Sequence, residues 1–317
     1  MISIQSKTGG RADNQDFYGT AQTKHGELIV VCDGMGGHNG GRHAAEIAVE
    51  TIIDEVSKSV DANPTDALHG AITKANTAIW DEGLSNTKLK GMGTTVVALL
   101  ISPKRAICCH VGDSRIYQLR KGKILHRTYD HSHVFELVMA GLINEEQARV
   151  SKKSNIITRG LGISSTVDVE IADNLLYQKG DRFLLCTDGI CGAVPEIELL
   201  KMASLKENIE LVLNQLVEKI DSIGFANGGR HDNLTAVLIE MESNSNFPDK
   251  APTLIKNKRK TFFYLILAAL AILLALSYFF LLNGNHTSQE SIKNKQIKIR
   301  TEKTVKQSNT LTVNPKI

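Results

Sequence analysis

Between residues 45 and 79 the apolar positions fall into a helical rhythm. Ala45, Ala48, Val49, Ile52 and Val56 share one helical face, and Leu68, Ala71, Ile72, Ala75 and Ile79 share another, which predicts two consecutive helices. Ahead of them, the run from Glu27 to Cys32 reads as a strand. Beyond them residues 94–101, 106–111, 115–119 and 123–126 read as strands close enough in sequence to pair as an antiparallel meander, with Arg120-Lys-Gly-Lys123 as a hairpin turn. Residues 132–140 and 144–150 read as short helices, and 168–172 and 182–186 as strands. A second helical pair follows at 195–204 and 208–223, and 234–240 closes the domain as a strand. Strands in blocks and helices in pairs predict an α+β layered domain rather than alternating βαβ units.

The pattern changes near residue 243. Residues 243–260 are polar, contain Pro248 and Pro252, and read as a flexible linker; 261–282 carry no charged side chain and are long enough to cross ~30 Å of hydrocarbon as a helix. Tyr264 and Tyr278 lie toward the ends of that stretch, where interfacial anchors belong. The expected organisation is a globular domain at 1–242, a basic linker at 243–260, one transmembrane helix at 261–282 and a polar tail at 283–317. The basic cluster Lys256-Asn-Lys-Arg-Lys260 abuts the span, whereas 283–289 has no Lys or Arg, which orients the large domain toward the cytoplasm. Lys293, Lys295, Lys298 and Arg300 in the tail weaken that argument. Five cysteines, Cys32, Cys108, Cys109, Cys186 and Cys191, lie in or beside apolar strands without paired metal-ligand spacing, as reduced core thiols do. The first residues lack the apolar core of a signal peptide, and a net charge of +3 is too small to imply a nucleic-acid surface.

The chemistry sits where apolar strands stop. Asp16 ends Arg11-Ala-Asp-Asn-Gln-Asp16, Asp33 follows Val30-Val-Cys, Asp188 follows Phe183-Leu-Leu-Cys-Thr, and Asp232 precedes Leu234–Ile239. A fifth motif, His110-Val-Gly-Asp113-Ser-Arg115, repeats the arrangement. One Asp-Gly pair is normally only a turn. A set of carboxylates at strand ends is different, because hard divalent cations take oxygen donors and the sheet holds those donors at an open edge.

In combination and in order, Arg-x-x-Asn-Gln-Asp16, Asp33-Gly-Met-Gly-Gly-His38, Gly91-Met-Gly-Thr-Thr95, Val111-Gly-Asp-Ser-Arg115, Asp130-His-Ser132, Thr187-Asp-Gly189 and Asp232-Asn-Leu-Thr235 resemble the metal-dependent PP2C-type (PPM) Ser/Thr protein phosphatases in their bacterial form. The resemblance covers about residues 1–242. It implies a PP2C-like four-layer sandwich, two antiparallel β-sheets flanked by pairs of helices, and two Mn²⁺ or Mg²⁺ ions that activate a shared water for attack on phosphoserine or phosphothreonine. By the family pattern Asp33 bridges the ions, the Gly34 carbonyl helps bind one, and Asp188 and Asp232 bind the other. Asp16 orients bound water and Arg11 grips the phosphate. Asp113, with Asp188, corresponds to the residues that hold a third ion in bacterial members; pairing with Arg115 is the alternative reading. The implied partners are phosphorylated proteins, Ser/Thr kinases and their substrates, at the inner face of the cytoplasmic membrane.

Two positions depart from eukaryotic members. Met35 replaces a histidine proposed to protonate the leaving group, which leaves that task to metal-bound water or to His38; Gln15 replaces a glutamate and brings no charge. Asp130 or Ser132 suits an N-cap for the following helix, and Gly91, Gly93, Thr94 and Thr95 read as a strand entrance. The segment from Met139 to Gly162 resembles a flap beside the cleft. A sensing or partner-binding module without turnover is the alternative function, although such a module has no use for the full acid set.

Overall fold

Alternation along the strands assigns each side chain to one of three apolar layers. The computed structural model describes residues 1–36, 40–61 and 63–245. In β3 (Gly26–Met35), Leu28, Val30 and Cys32 face one layer while Ile29 and Val31 face another. The same parity holds in β5 (Val96–Ile101), where Val96, Ala98 and Leu100 oppose Val97 and Leu99. In β10 (Arg182–Cys186) and β11 (Leu234–Glu240), Phe183, Leu185, Val237 and Ile239 turn inward, while Leu184, Cys186, Ala236 and Leu238 turn outward. Because successive strand residues point to opposite faces, strands apolar on both sides must be covered on both sides.

One antiparallel sheet has the order β1 (Ile2–Lys7), β11, β10, β7 (Arg115–Arg120), β8 (Lys123–Arg127). The other runs β2 (Asp16–Thr23), β3, β5, β6 (Ala106–Val111), β9 (Glu170–Leu175), with the short β4 (Gly93–Thr94) paired to the end of β3. Ile29, Val31, Val97 and Leu99 of one sheet meet Ile116, Phe183, Leu185 and Val237 of the other. Helices α1 (Gly40–Lys58) and α2 (Pro64–Ser85) cover the outside of the β3–β5 sheet. On the opposite outside lie α6 (Glu196–Ala203) and α7 (Ile209–Ala226). The result is the expected sandwich of two sheets between helical pairs. Asn63 caps α2 by accepting the Thr65 N–H, and Pro64 follows it at the first helical position.

The expected four-strand meander is instead two hairpins in different sheets. β5 pairs with β6 and β7 with β8, and the chain crosses between sheets at Gly112-Asp113-Ser114. The hairpin turn at Lys121 and Gly122 is present, both with positive φ. The strand expected at 168–172 runs Glu170–Leu175.

α3 (His133–Met139) and α4 (Glu145–Arg149) begin the segment beside the sheet edge. Ser132 caps α3 through the Phe135 N–H, and Asn144 with Gln147 forms a reciprocal capping box on α4. The segment returns to the sheet at Leu161, which exchanges two backbone hydrogen bonds with Thr94. No helix among the described residues is long and apolar enough to cross a membrane, and the span expected at 261–282 lies outside them, as do the linker beyond 245 and the tail.

Candidate metal centre

The inward face of β3 ends in Asp33, and its direct cross-strand partner in β2 is Asp16. Gly34 follows where no side chain fits: an added Cβ would lie 2.1 Å from the Gly41 carbonyl oxygen and 2.7 Å from that of Gln15. The Asp33 backbone is held on both sides. Its N–H donates to Thr95 Oγ1 at 3.0 Å, and its carbonyl accepts from Thr94 Oγ1 at 2.8 Å and from the Thr95 N–H at 2.9 Å. Thr95 Oγ1 also shares a proton with Ser114 Oγ at 2.8 Å, tying β3 to the crossing between sheets.

That crossing carries Asp113, which is buried. Arg115 does not take it as a salt-bridge partner; its Nε and Nη2 grip Asp130 at 2.6 and 2.7 Å. Asp130 is thereby committed to Arg115, and the helix cap falls to Ser132. His131 clamps the crossing, since its N–H donates to the Gly112 carbonyl at 2.9 Å and its Nδ1 accepts the Gly112 N–H at 3.2 Å.

Asp188 begins α5 (Asp188–Cys191), a short helix directly after β10. Gly189 lets that turn press against the loop before β11, where a Cβ would lie 2.0 Å from the Asn233 carbonyl oxygen. Asp232 stands in that loop, beside Asn233. The Asn233 amide donates to the carbonyls of Thr8 and Asp13 and accepts the Gln15 N–H, and so fastens the N-terminal loop bearing Arg11 to the same edge. Arg11 Nη2 donates to Asp232 Oδ2 at 2.7 Å on the exposed side.

Burial pushes the Asp16 carboxyl up to about 7, with Asp188 and Asp232 adding repulsion while the Thr235 and Thr187 hydroxyls hold it down. Burial, then the charges of Asp16, Asp188, Asp113 and Asp232, raises Asp33 well above the usual range. Asp113 rises through burial and the charges of Asp188 and Asp130. Asp188 rises through burial and Asp232, offset in part by a hydrogen bond from Asp33. Ionised carboxylates crowded at a protein edge without cations are unfavourable. Asp16 Oδ1 and Asp188 Oδ1 are buried without a hydrogen-bond partner. Oxygen donors of this kind, converging from separate segments, fit one or more hard divalent cations.

Asp33, Gly34, Asp113, Asp188 and Asp232 line one cleft of about 460 Å³, together with Arg11, Gln15, Met35 and Thr95. Asp16 stays behind that wall, its Oδ2 accepting from Thr187 Oγ1 at 3.0 Å. A separate cluster, His110, His131 and Glu170, also groups ligand-type atoms. There His131 Nδ1 is committed as an acceptor to Gly112, so the neutral ring carries its proton on Nε2, facing Glu170 at 3.3 Å. That arrangement is a hydrogen-bonded brace, with no imidazole lone pair of His131 left for a metal.

The family model described as Protein phosphatase 2C matches residues 6–221. The chain belongs to the protein phosphatase 2C family. It is 33% identical over 237 residues to the serine/threonine phosphatase stp of Listeria monocytogenes serotype 4b, which covers 73% of this chain and 92% of that protein. Among solved structures, the serine/threonine phosphatase of S. agalactiae matches with a TM-score of 0.68 at 31% identity, over 76% of this chain and 99% of that one. The catalytic domain of the phosphatase PstP, in complex with two manganese ions, matches with a TM-score of 0.64 at 28% identity, over 76% and 97% of the respective chains. Membership makes this PP2C chain a metal-dependent protein-serine/threonine phosphatase.

Sequence reasoning gave too little weight to Thr94 and Thr95, and it left Thr187 and Asn233 without individual roles. The signal was present in the motifs Gly-Thr-Thr95, Thr187-Asp and Asp-Asn233, where hydroxyl or amide groups stand beside an acid. Met35 packs beside Gly93 and Gly160 at the cleft wall, and His38 lies outside the described residues.

Proposed function

We propose that this phosphatase removes phosphate from phosphoserine and phosphothreonine in proteins, with Asp33, the Gly34 carbonyl, Asp188 and Asp232 holding two Mn²⁺ or Mg²⁺ ions, and Asp113 with Asp188 holding a third. The convergence of Asp33, Asp113, Asp188 and Asp232 on one cleft carries this reading. Bound there, divalent ions neutralise the phosphate dianion and supply an ionised water at neutral pH. Asp16, opposite Asp33 in the β2–β3 ladder and with one buried carboxylate oxygen unpartnered, would orient water at the bound ions. Thr94 and Thr95 fix the Asp33 backbone so that its carboxylate and the Gly34 carbonyl keep one orientation. Arg11, at the exposed mouth, offers a planar fork to a phosphate; the group it holds in the structure is Asp232. The Met35 thioether cannot donate a proton, which would leave leaving-group protonation to water at the bound ions or to His38.

The uncharged stretch 261–282 and the basic cluster at 256–260 support a single-pass anchor in the cytoplasmic membrane, with the phosphatase domain on the cytoplasmic side opposing membrane-associated Ser/Thr kinases. Purified full-length protein should release phosphate from a phosphothreonine peptide with Mn²⁺ or Mg²⁺ and not after exhaustive chelation. Undiminished turnover without divalent ions would overturn the mechanism. Protease added outside intact cells should reach the tail beyond residue 283 and spare the phosphatase domain; digestion of the domain would reverse the orientation.

A further inference from the structure

A second cavity, of about 490 Å³, adjoins the cleft and shares Asp113, Asn155, Asp188 and Asp232 with its wall. Away from that shared wall its apolar lining comes from Val134 and Phe135 of α3, Ala148 of α4, Cys191 of α5, and Ala193 and Ile197 flanking Pro195, beside several charged residues. Ile197 is 83% exposed at its margin, an unusual place for a large aliphatic side chain with nothing packed on it. From the end of α3 onward, Met139, Leu142, Val150 and Ile156 are exposed as well.

Away from the shared wall, where Asp113 and Asp188 face the cleft, the arginines around this cavity are already paired. Arg115 grips Asp130, Arg127 holds Glu145 at 2.6 and 2.9 Å and also meets Glu196, and Arg149 holds Glu146 at 2.6 and 2.8 Å. An acidic side chain entering here would lose hydration, meet arginines already engaged with their own carboxylates, and face the acids of the shared wall. An aliphatic or aromatic side chain would replace water against Phe135, Ala148 and Ala193 without bringing a charge of its own out of water. The wall shared with the cleft fixes what such a group belongs to, because a peptide whose phosphoryl group lies among the aspartates passes this opening.

We propose that the cavity is a specificity subsite that takes one large apolar side chain close in sequence to the phosphorylated residue, so that the preferred substrates are phosphoproteins with an aliphatic or aromatic neighbour. The inference rests on the phosphatase reading and deepens it. Pockets with an apolar patch of this kind discriminate through burial of a few methylenes and exclusion of like charge, on the order of ten- to a hundredfold in kcat/KM.

The test is a set of phosphothreonine peptides in which Leu, Ala or Glu is placed in turn at each of the three positions on either side of the phosphothreonine. The full-length protein is assayed in detergent with Mn²⁺, beside p-nitrophenyl phosphate, which is too small to span both cavities. At one position Leu should exceed Glu by about tenfold or more in kcat/KM, with Ala between. Ala193→Trp, which fills the cavity, and Ile197→Glu, which adds charge at an exposed margin, should each bring that ratio to within about twofold while p-nitrophenyl phosphate hydrolysis is retained. A flat scan in the unmodified enzyme, or a Leu preference that survives both substitutions, would overturn the subsite. Failure of the unmodified enzyme to hydrolyse p-nitrophenyl phosphate would instead remove the phosphatase reading, and the subsite with it.

Discussion

Asp16 and Asp33 stand directly opposite each other in the β2–β3 ladder, both on the side that looks between the sheets. Like charges in directly opposed strand positions destabilise a sheet. Here the pair lies at the cleft end of the sandwich, with Thr187 donating to Asp16 and Thr95 accepting the Asp33 N–H. The fold thus keeps a repulsive pair at the edge where the proposed cations would offset it, and the consequences are measurable.

Asp33→Asn should raise the stability of the chelated protein while nearly abolishing turnover. The sign follows from the raised folded pKa of Asp33. As pH rises above the ordinary carboxyl range the unfolded chain ionises while the folded one resists, so stability falls with pH until the folded group ionises too. The asparagine variant lacks this loss. Its advantage, on the order of 1 kcal/mol, should therefore grow between about pH 5 and pH 8. Thermal unfolding in chelator across that range checks it, and an advantage that shrinks with pH contradicts the assignment.

Binding of Mn²⁺ should release protons, and more of them at about pH 5.5 than at about pH 8, because raised carboxyls must ionise before they can ligate. Burial and mutual repulsion raise Asp33, Asp113 and Asp188 together. Calorimetry in two buffers of different ionisation enthalpy counts these protons. Equal release at both pH values would mean that the carboxylates are ionised before the cation arrives.

Thr95→Val should weaken metal activation without removing any ligand. The change strands the Asp33 N–H and breaks the link to Ser114. Leaving a buried donor unpaired costs about 1–3 kcal/mol, so the Mn²⁺ concentration for half-maximal activity should rise by roughly ten- to a hundredfold. Thr95→Ser, which keeps the hydroxyl, should recover most of the affinity.

Arg11→Ala should lower kcat/KM for a phosphothreonine peptide by roughly ten- to a hundredfold, the worth of a charge-assisted contact of ~1.5 to 3 kcal/mol. Metal affinity should be retained, because removing the guanidinium also frees Asp232 from its ion pair. Loss of metal binding in this variant would place Arg11 in the metal site's scaffold rather than on the phosphate.

Period and parity in the chain were enough to locate the helices and most of the strands, since burial on a helix or sheet face is written in the spacing of apolar residues; the four-layer arrangement came from the family resemblance. The acids were legible because each interrupts an apolar strand where a simple turn does not require one. Neighbour choice was not legible. Residues 106–111 and 115–120 look like two arms of a hairpin, yet the three-residue crossing at Gly112-Asp113-Ser114 sends them into different sheets, because parity reports which faces are covered and not which strand lies alongside. The same limit applies to charge. Arg115 stands two residues from Asp113 and fifteen from Asp130, yet the fold brings its guanidinium to Asp130; Arg11 meets Asp232 across most of the domain. Such pairings depend on where separate segments converge, and that convergence exists only once both sheets have packed.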